Sequence, residues 1–198
     1  MATHVQHTAK ESFYFVNFTC YKWLPLIDKT SLYDYVKSWA TELSNRGIKL
    51  CGYVIMPNHL HLLVYIEHGC IGLNLVMGEA KRFMAYEIVK RLKDLGEVEI
   101  LKNLSAGVQK EEREKGKKHQ VFRLSFDAKE VRGQTEINKV LDYMHHNPVS
   151  GKWRLESDFA DYPYSSAKYY ELAVQSEIEV CDYRTITSES PADDSEGE

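Results

Sequence analysis

His59 and His61 flank a single leucine in the run Met56-Pro57-Asn58-His59-Leu60-His61-Leu62-Leu63-Val64. Residues two apart on a β-strand project to the same side of the sheet. Two imidazoles therefore stand together, and neutral imidazole is a ligand for several divalent metals. Leu60, Leu62, Val64 and Ile66 form the opposite, apolar face that would meet a core, which leaves the histidines beside Leu63 and Tyr65. A second polar cluster lies in Leu141-Asp142-Tyr143-Met144-His145-His146-Asn147-Pro148-Val149. Tyr143 and Asn147 are four residues apart, so one helical turn stacks them, with Lys139 a turn earlier and His146 close by. Ile137, Val140, Leu141 and Met144 make the opposite, buried stripe. A phenol is a poor nucleophile near neutral pH because its ordinary pKa is about 10. A cation held by the two imidazoles could supply the Lewis-acid help that such a hydroxyl needs. Taken singly, a His-x-His pair is usually a half-exposed strand feature, and a lone tyrosine among thirteen is usually packing.

In combination the motifs say more. A Pro-Asn-His-Leu-His strand followed about eighty residues later by Tyr-x-x-x-Asn-Pro-Val resembles the single-tyrosine HUH transposases, the insertion-sequence-200-like proteins. The Asn-Pro-Val-x-Gly form is most similar to their REP-associated tyrosine transposase branch, and the likeness runs from about Phe13 to Tyr170. It includes Asp161-Tyr162-Pro163-Tyr164-Ser165-Ser166-Ala167, similar to a segment that follows the catalytic helix in that branch. The resemblance implies Tyr143 as the catalytic nucleophile and a covalent 5′-phosphotyrosine that leaves a free 3′-hydroxyl for strand transfer. It implies a divalent metal, magnesium or manganese, held by His59, His61 and Asn147, although zinc suits two histidines equally. Lys139 and His146 are possible auxiliaries, His146 as an alternative third ligand. The implied partner is single-stranded DNA with hairpin structure, and the implied state is a monomer in preference to a homodimer. Gly151-Lys152-Trp153 stands where relatives often carry Gly-Leu-Val, and Asp127 where a histidine is common. Two other functions compete. A transposase-derived hairpin DNA- or RNA-binding module would use the same framework without chemistry. A zinc hydrolase would need a third strong ligand and an acidic general base that the sequence does not provide near the pair.

The elements that must position these groups follow from periodicity. Phe13–Cys20 is aromatic and β-branched enough for a first strand. Leu32, Tyr35, Val36, Trp39 and Leu43 recur at helical spacing, from a cap at Thr30 or Ser31 to a stop at Gly47. Ile48–Ile55 is a second strand, joined to the histidine strand by a tight Met56-Pro57-Asn58 turn. Leu73, Val76, Met77, Ala80, Met84, Ile88 and Leu92 outline a long amphipathic helix that ends near Gly96. Ala106–Gln120 reads as a charged loop or mobile insert, Gln120–Phe126 as a fourth strand, and Thr135 as N-cap of the tyrosine helix. The order β-α-β-β-α-β is the split βαβ pattern, a ferredoxin-like α+β fold with an antiparallel four-stranded sheet and helices on one face. The tyrosine helix is then the natural cover for the other face.

The chain of 198 residues is long enough for one domain with a substantial core. The expected division is a leader over 1–12, a single catalytic domain over 13–175 and an acidic, disordered tail over 176–198. The formal charge of −4 argues against a nucleic-acid binder until it is located: residues from Glu177 onward carry −7, which leaves +3 on residues 1–176. Lys81, Arg82, Lys117 and Lys118 are the basic residues expected to meet phosphate. Cys20, Cys51, Cys70 and Cys181 form no disulfide or zinc framework and read as reduced thiols of a cytoplasmic protein. No secretory h-region and no membrane-length apolar run occur in the sequence.

Overall fold

A computed structural model describes residues 11–67, 72–124 and 127–189. Its sheet contains β1 (Ser12–Thr19), β2 (Ile48–Met56), β3 (His59–Ile66) and β4 (Asp127–Val131) in the order β2-β3-β1-β4. Every neighbouring pair is antiparallel. This is the expected α+β architecture. Pro57 and Asn58 form the two-residue turn of the β2–β3 hairpin, and their carbonyls accept from Ile27 and Cys20.

Alternation along the strands divides the protein into two cores. Val16 and Phe18 of β1 and Leu60, Leu62 and Val64 of β3 face α2 (Tyr33–Thr41) and α3 (Leu73–Asp94). The α3 stripe Leu73, Val76, Met77, Ala80, Met84, Ile88 and Leu92 is buried there in full. Arg91 clamps α3 to the preceding segment: its guanidinium pairs with Asp34 and Glu87 and bonds the carbonyls of Thr30 and Ser31. On the other face Phe13, Leu63 and Tyr65 pack under Ile137, Leu141 and Met144 of α6 (Gly133–His145). Gly52 is what lets α6 come so close. An added Cβ would lie 2.6 Å from Leu141 Cδ2, beside a bulge in β2 between Leu50 and Gly52.

Several expectations are corrected. The fourth strand is Asp127–Val131, not Gln120–Phe126; Phe122 makes only an isolated bridge to Cys20, and residues 125–126 lie outside the described residues. The real strand is a charged sheet edge, Asp-Ala-Lys-Glu-Val, whose outer side needs no apolar partner and so lacks a strong pattern. The first helix is shorter than expected, since α1 (Leu26–Lys29) precedes it and a 3-10 turn, Ser44–Arg46, leads to Gly47 at φ +70°. The charged insert holds the end of α4 (Val98–Ala106) and α5 (Lys110–Glu114). Thr135 lies inside α6, which begins after Arg132; Glu136 accepts the Arg132 N–H in its stead.

The expected disordered tail is the largest correction. Ile178, Val180, Tyr183 and Ile186 are buried, and α7 (Tyr183–Glu189) packs with the second core. Four apolar side chains spaced among the acids provide that anchorage, which net charge alone conceals. Residues 190–198 and the leader residues 1–10 lie outside the described residues. The outer edge of β2 is closed by the Tyr164–Ser166 segment: Ile55 N–H donates to the Tyr164 carbonyl and Ser166 N–H to the Tyr53 carbonyl. Among the described residues Cys20, Cys51 and Cys181 are free thiols, Cys70 lies outside them, and no helix is long and apolar enough to cross a membrane.

Candidate active site

The strand register sets the site. Directly opposite His59 on β1 is Thr19, and opposite His61 is Asn17. On β2 the opposing residues are Met56 and Val54. All point to the face that α6 covers, and the two imidazoles meet edge to face with ring centroids 4.7 Å apart. Phe15 stacks on His61 at 5.1 Å. Trp23 meets His59 edge-on at 5.8 Å.

Burial governs the protonation of both rings. It pushes His59 down to about 4 against a small opposing effect of a hydrogen bond with Asn147. It pushes His61 down to about 3, helped by the neighbouring His59. Both imidazoles are therefore neutral at ordinary pH, the form in which they can donate a lone pair.

Two asparagines orient His59. The amide nitrogen of Asn58 donates to the Trp23 carbonyl at 3.2 Å, which turns its Oδ1 toward His59 Nδ1 at 2.7 Å. Asn147 gives its Nδ2 to the Tyr143 carbonyl at 2.8 Å, which leaves Oδ1 for the His59 ring. With its Nδ1–H given to Asn58 Oδ1, the neutral ring keeps its lone pair on Nε2, where it is available to a cation. His61 Nδ1 is buried without a hydrogen-bond partner, a cost of about 1–3 kcal/mol that coordination or a ligand hydrogen bond would remove. The donor set of two neutral imidazoles and one amide oxygen fits a divalent cation with positions left for substrate oxygens. No cluster of three or more His, Cys, Asp or Glu side chains suited to a metal occurs among the described residues, so the amide is essential to that fit.

Tyr143 comes to the same place from the helix. Its ring centroid lies 5.5 Å from that of His61 and 6.2 Å from that of Phe15, yet 57% of the residue stays exposed. The phenol is thus held beside the imidazoles and open to solvent. Over most of its length the chain shares its fold with a protein of solved structure. The structure of a REP-associated tyrosine transposase bound to a REP hairpin aligns with a TM-score of 0.56 at 16% identity, covering 87% of this chain and 86% of that one. A candidate transposase from Deinococcus radiodurans aligns over 73% of this chain and 96% of its own at 9% identity, but its TM-score of 0.37 carries no argument. No protein-family model and no curated protein matches the chain.

The remaining expected residues divide. Lys139 is exposed on α6, where its charge reaches Glu136. His146 is turned to other partners: its Nδ1 meets the Asp142 carbonyl at 2.9 Å and its ring packs on Phe159. Lys81 donates to the Arg123 carbonyl at 2.7 Å and lies over Phe18 and Phe122, so its ammonium clips α3 to the segment before β4. Arg82 lies over the Phe83 ring, Lys117 pairs with Glu112 and Lys118 is exposed. The sequence reading missed Asn58, Trp23 and His145. His145 is buried, and its Nε2 meets Ser166 Oγ at 2.9 Å; that hydroxyl also accepts the Tyr53 N–H, which ties the end of α6 to β2.

Proposed function

We propose that this protein is a metal-dependent enzyme that nicks and rejoins single-stranded DNA, a transposase of the single-tyrosine HUH type close to the REP-associated branch. The observation that carries the reading is the placement of Tyr143 against His61, with Asn147 four residues on, in the 3-10 turn that follows α6, and its amide tied to the Tyr143 carbonyl. The fold shared with a hairpin-bound transposase agrees with it, and hairpin-containing single-stranded DNA is the proposed substrate. His59, His61 and Asn147 would hold magnesium or manganese. That ion supplies Lewis-acid polarisation of the scissile phosphate.

The protein's own groups perform the rest. Asn58 fixes the tautomer and orientation of His59. Phe15 and Trp23 wall the imidazoles so that they stay neutral. Tyr143 attacks the phosphorus; the bond between tyrosine oxygen and phosphorus forms as the bond to the 3′-oxygen breaks, which gives a 5′-phosphotyrosine and a free 3′-hydroxyl. Reversal by another 3′-hydroxyl rejoins the strand without an external energy source. Nucleophile and ligands all come from one chain, which supports action as a monomer.

The test is incubation with labelled hairpin-bearing single strands, with magnesium, manganese or EDTA, followed by a denaturing gel. A covalent protein–DNA band that needs metal and is lost in Tyr143→Phe and His59→Ala supports the proposal. Tight binding with no adduct across such substrates overturns it in favour of a non-catalytic hairpin-binding module.

A further inference from the structure

A surface helix carries polar residues on the side away from the core. The long helix α3 departs from that rule. One stripe of it, from Leu73 to Leu92, is buried in the first core. On the outer side Leu75, Phe83 and Tyr86 are 56%, 46% and 64% exposed, and the Phe83 and Tyr86 rings meet edge to face at 6.4 Å. Single exposed apolar residues are ordinary, but three on one helix face form a patch. Leu75, Glu79, Arg82 and Tyr86 follow one another at intervals of four, three and four, the spacing of a coiled-coil contact line, with Phe83 at its flank.

The charges along this line are complementary to a second copy of it. Arg46 takes Glu79 Oε2 at 2.6 Å, while Arg82 has no acidic partner among the described residues and lies over the Phe83 ring. When two such helices run antiparallel about a two-fold axis at the level between Ala80 and Lys81, residue 75 stands opposite 86 and residue 79 opposite 82. Leu75 then meets the partner's Tyr86, and Glu79 meets the partner's Arg82. The axis makes each contact twice. Gly78 adds to this: it is exposed on the same side, and an added Cβ there would meet nothing within 4 Å. No contact inside the chain requires a residue that costs a helix interior about 0.5–1 kcal/mol relative to alanine, but its bare backbone leaves room for a close neighbour.

We infer that the outer face of α3 is a docking surface for a second copy of this chain, paired antiparallel about that axis. A stable interface buries about 1,200–2,000 Å² in total, and three apolar side chains per copy fall short of that, so the dimer is a weak one. The pairing assigns Arg82 to a partner chain rather than to phosphate. It leaves the chemistry alone, because α3 covers the face of the sheet opposite the histidines. Each protomer keeps a complete candidate active site, and the two sites are directed away from each other. The association needs neither DNA nor metal, so it stands or falls separately from the nicking reaction.

Sedimentation velocity tests the pairing, on the full chain without DNA or metal, from about 5 to about 500 µM, the range of weak interfaces. The wild type should pass from monomer toward dimer across that range. Tyr86→Asp should raise the dissociation constant about ten-fold or more, since it removes an apolar contact made twice. Glu79→Arg and Arg82→Glu each set like charges opposite one another and should do the same. Both changes in one chain restore opposite charges across the antiparallel pair and should recover most of the loss. Circular dichroism checks the fold of each variant; should Tyr86→Asp fail that check, the exposed charge reversals carry the comparison. A chain that stays monomeric at the highest concentration overturns the inference and leaves the face to a different protein. A dimer unmoved by all three single variants overturns it as well, and one lost in the single reversals but not regained in the double variant overturns the antiparallel register.

Discussion

Asn58 and His59 are neighbours in sequence whose side chains also bond, Oδ1 to Nδ1 at 2.7 Å, with the asparagine turned by the Trp23 carbonyl. This contact places the ring proton on Nδ1 and leaves the lone pair on Nε2. A hairpin turn residue thus decides which nitrogen of a candidate ligand is available. Outer partners of this type commonly change metal affinity by about 10- to 100-fold.

Asn58→Ala should therefore weaken manganese binding by about that factor while the chain stays folded, and Asn58→Asp, which keeps an oxygen for Nδ1, should retain most of it. Isothermal titration with manganese measures both. Equal affinity in Asn58→Ala and wild type would remove Asn58 from the site.

Tyr143→Phe should abolish covalent adduct formation, a loss of more than about 10³-fold, and leave the melting temperature within about 1 °C of wild type. The residue is more than half exposed and, among the described residues, its hydroxyl makes no hydrogen bond, so the ring alone satisfies its packing on Phe15 and His61. A gel assay and a thermal melt on the same preparation separate chemistry from stability.

Gly52→Ala should destabilise the fold by about 1–3 kcal/mol and slow adduct formation, because its Cβ meets Leu141 and Met144 and must move α6. Adding Leu141→Val, which withdraws the 2.6 Å neighbour, should recover part of both losses. Denaturant melts with a matched adduct rate are the measurement; a rate that recovers no better than in Leu141→Val alone argues against helix position as the cause.

Acid should unfold the protein through its buried imidazoles. Burial takes His145 down to about 4, so below its unfolded value near 6.5 the unfolded chain gains a proton that the folded chain refuses. Stability contributed by this group is complete above about pH 6.5 and is lost as pH falls toward 4, on the order of 3 kcal/mol in all. His59 and His61 act in the same direction. Urea melts from pH 7.5 to 4.5 should show the decline, and His145→Gln, which retains a partner for Ser166, should reduce its slope by about one proton.

The clearest sequence features were those set by local geometry. Strand parity puts His59 and His61 on one face and Leu60, Leu62 and Val64 on the other, and the structure has them so. A four-residue spacing puts Tyr143 and Asn147 on one turn, and they are bonded across it. The long stripe from Leu73 to Leu92 is buried at every position. Each pattern needs only the periodicity of its own backbone, 2 for a strand and 3.6 for a helix, and both are fixed by allowed dihedral angles.

Tertiary structure decided what lies beside those patterns. Asn17 and Trp23 carry no signal of their own; the β1–β3 register and a left-handed turn bring them to the histidines. The same holds for Ile178 to Ile186, which composition assigns to an acidic tail and the second core claims. Contacts between distant segments depend on which surfaces remain uncovered once the sheet and α6 have formed, a property of the whole packed chain. No window of neighbouring residues encodes it.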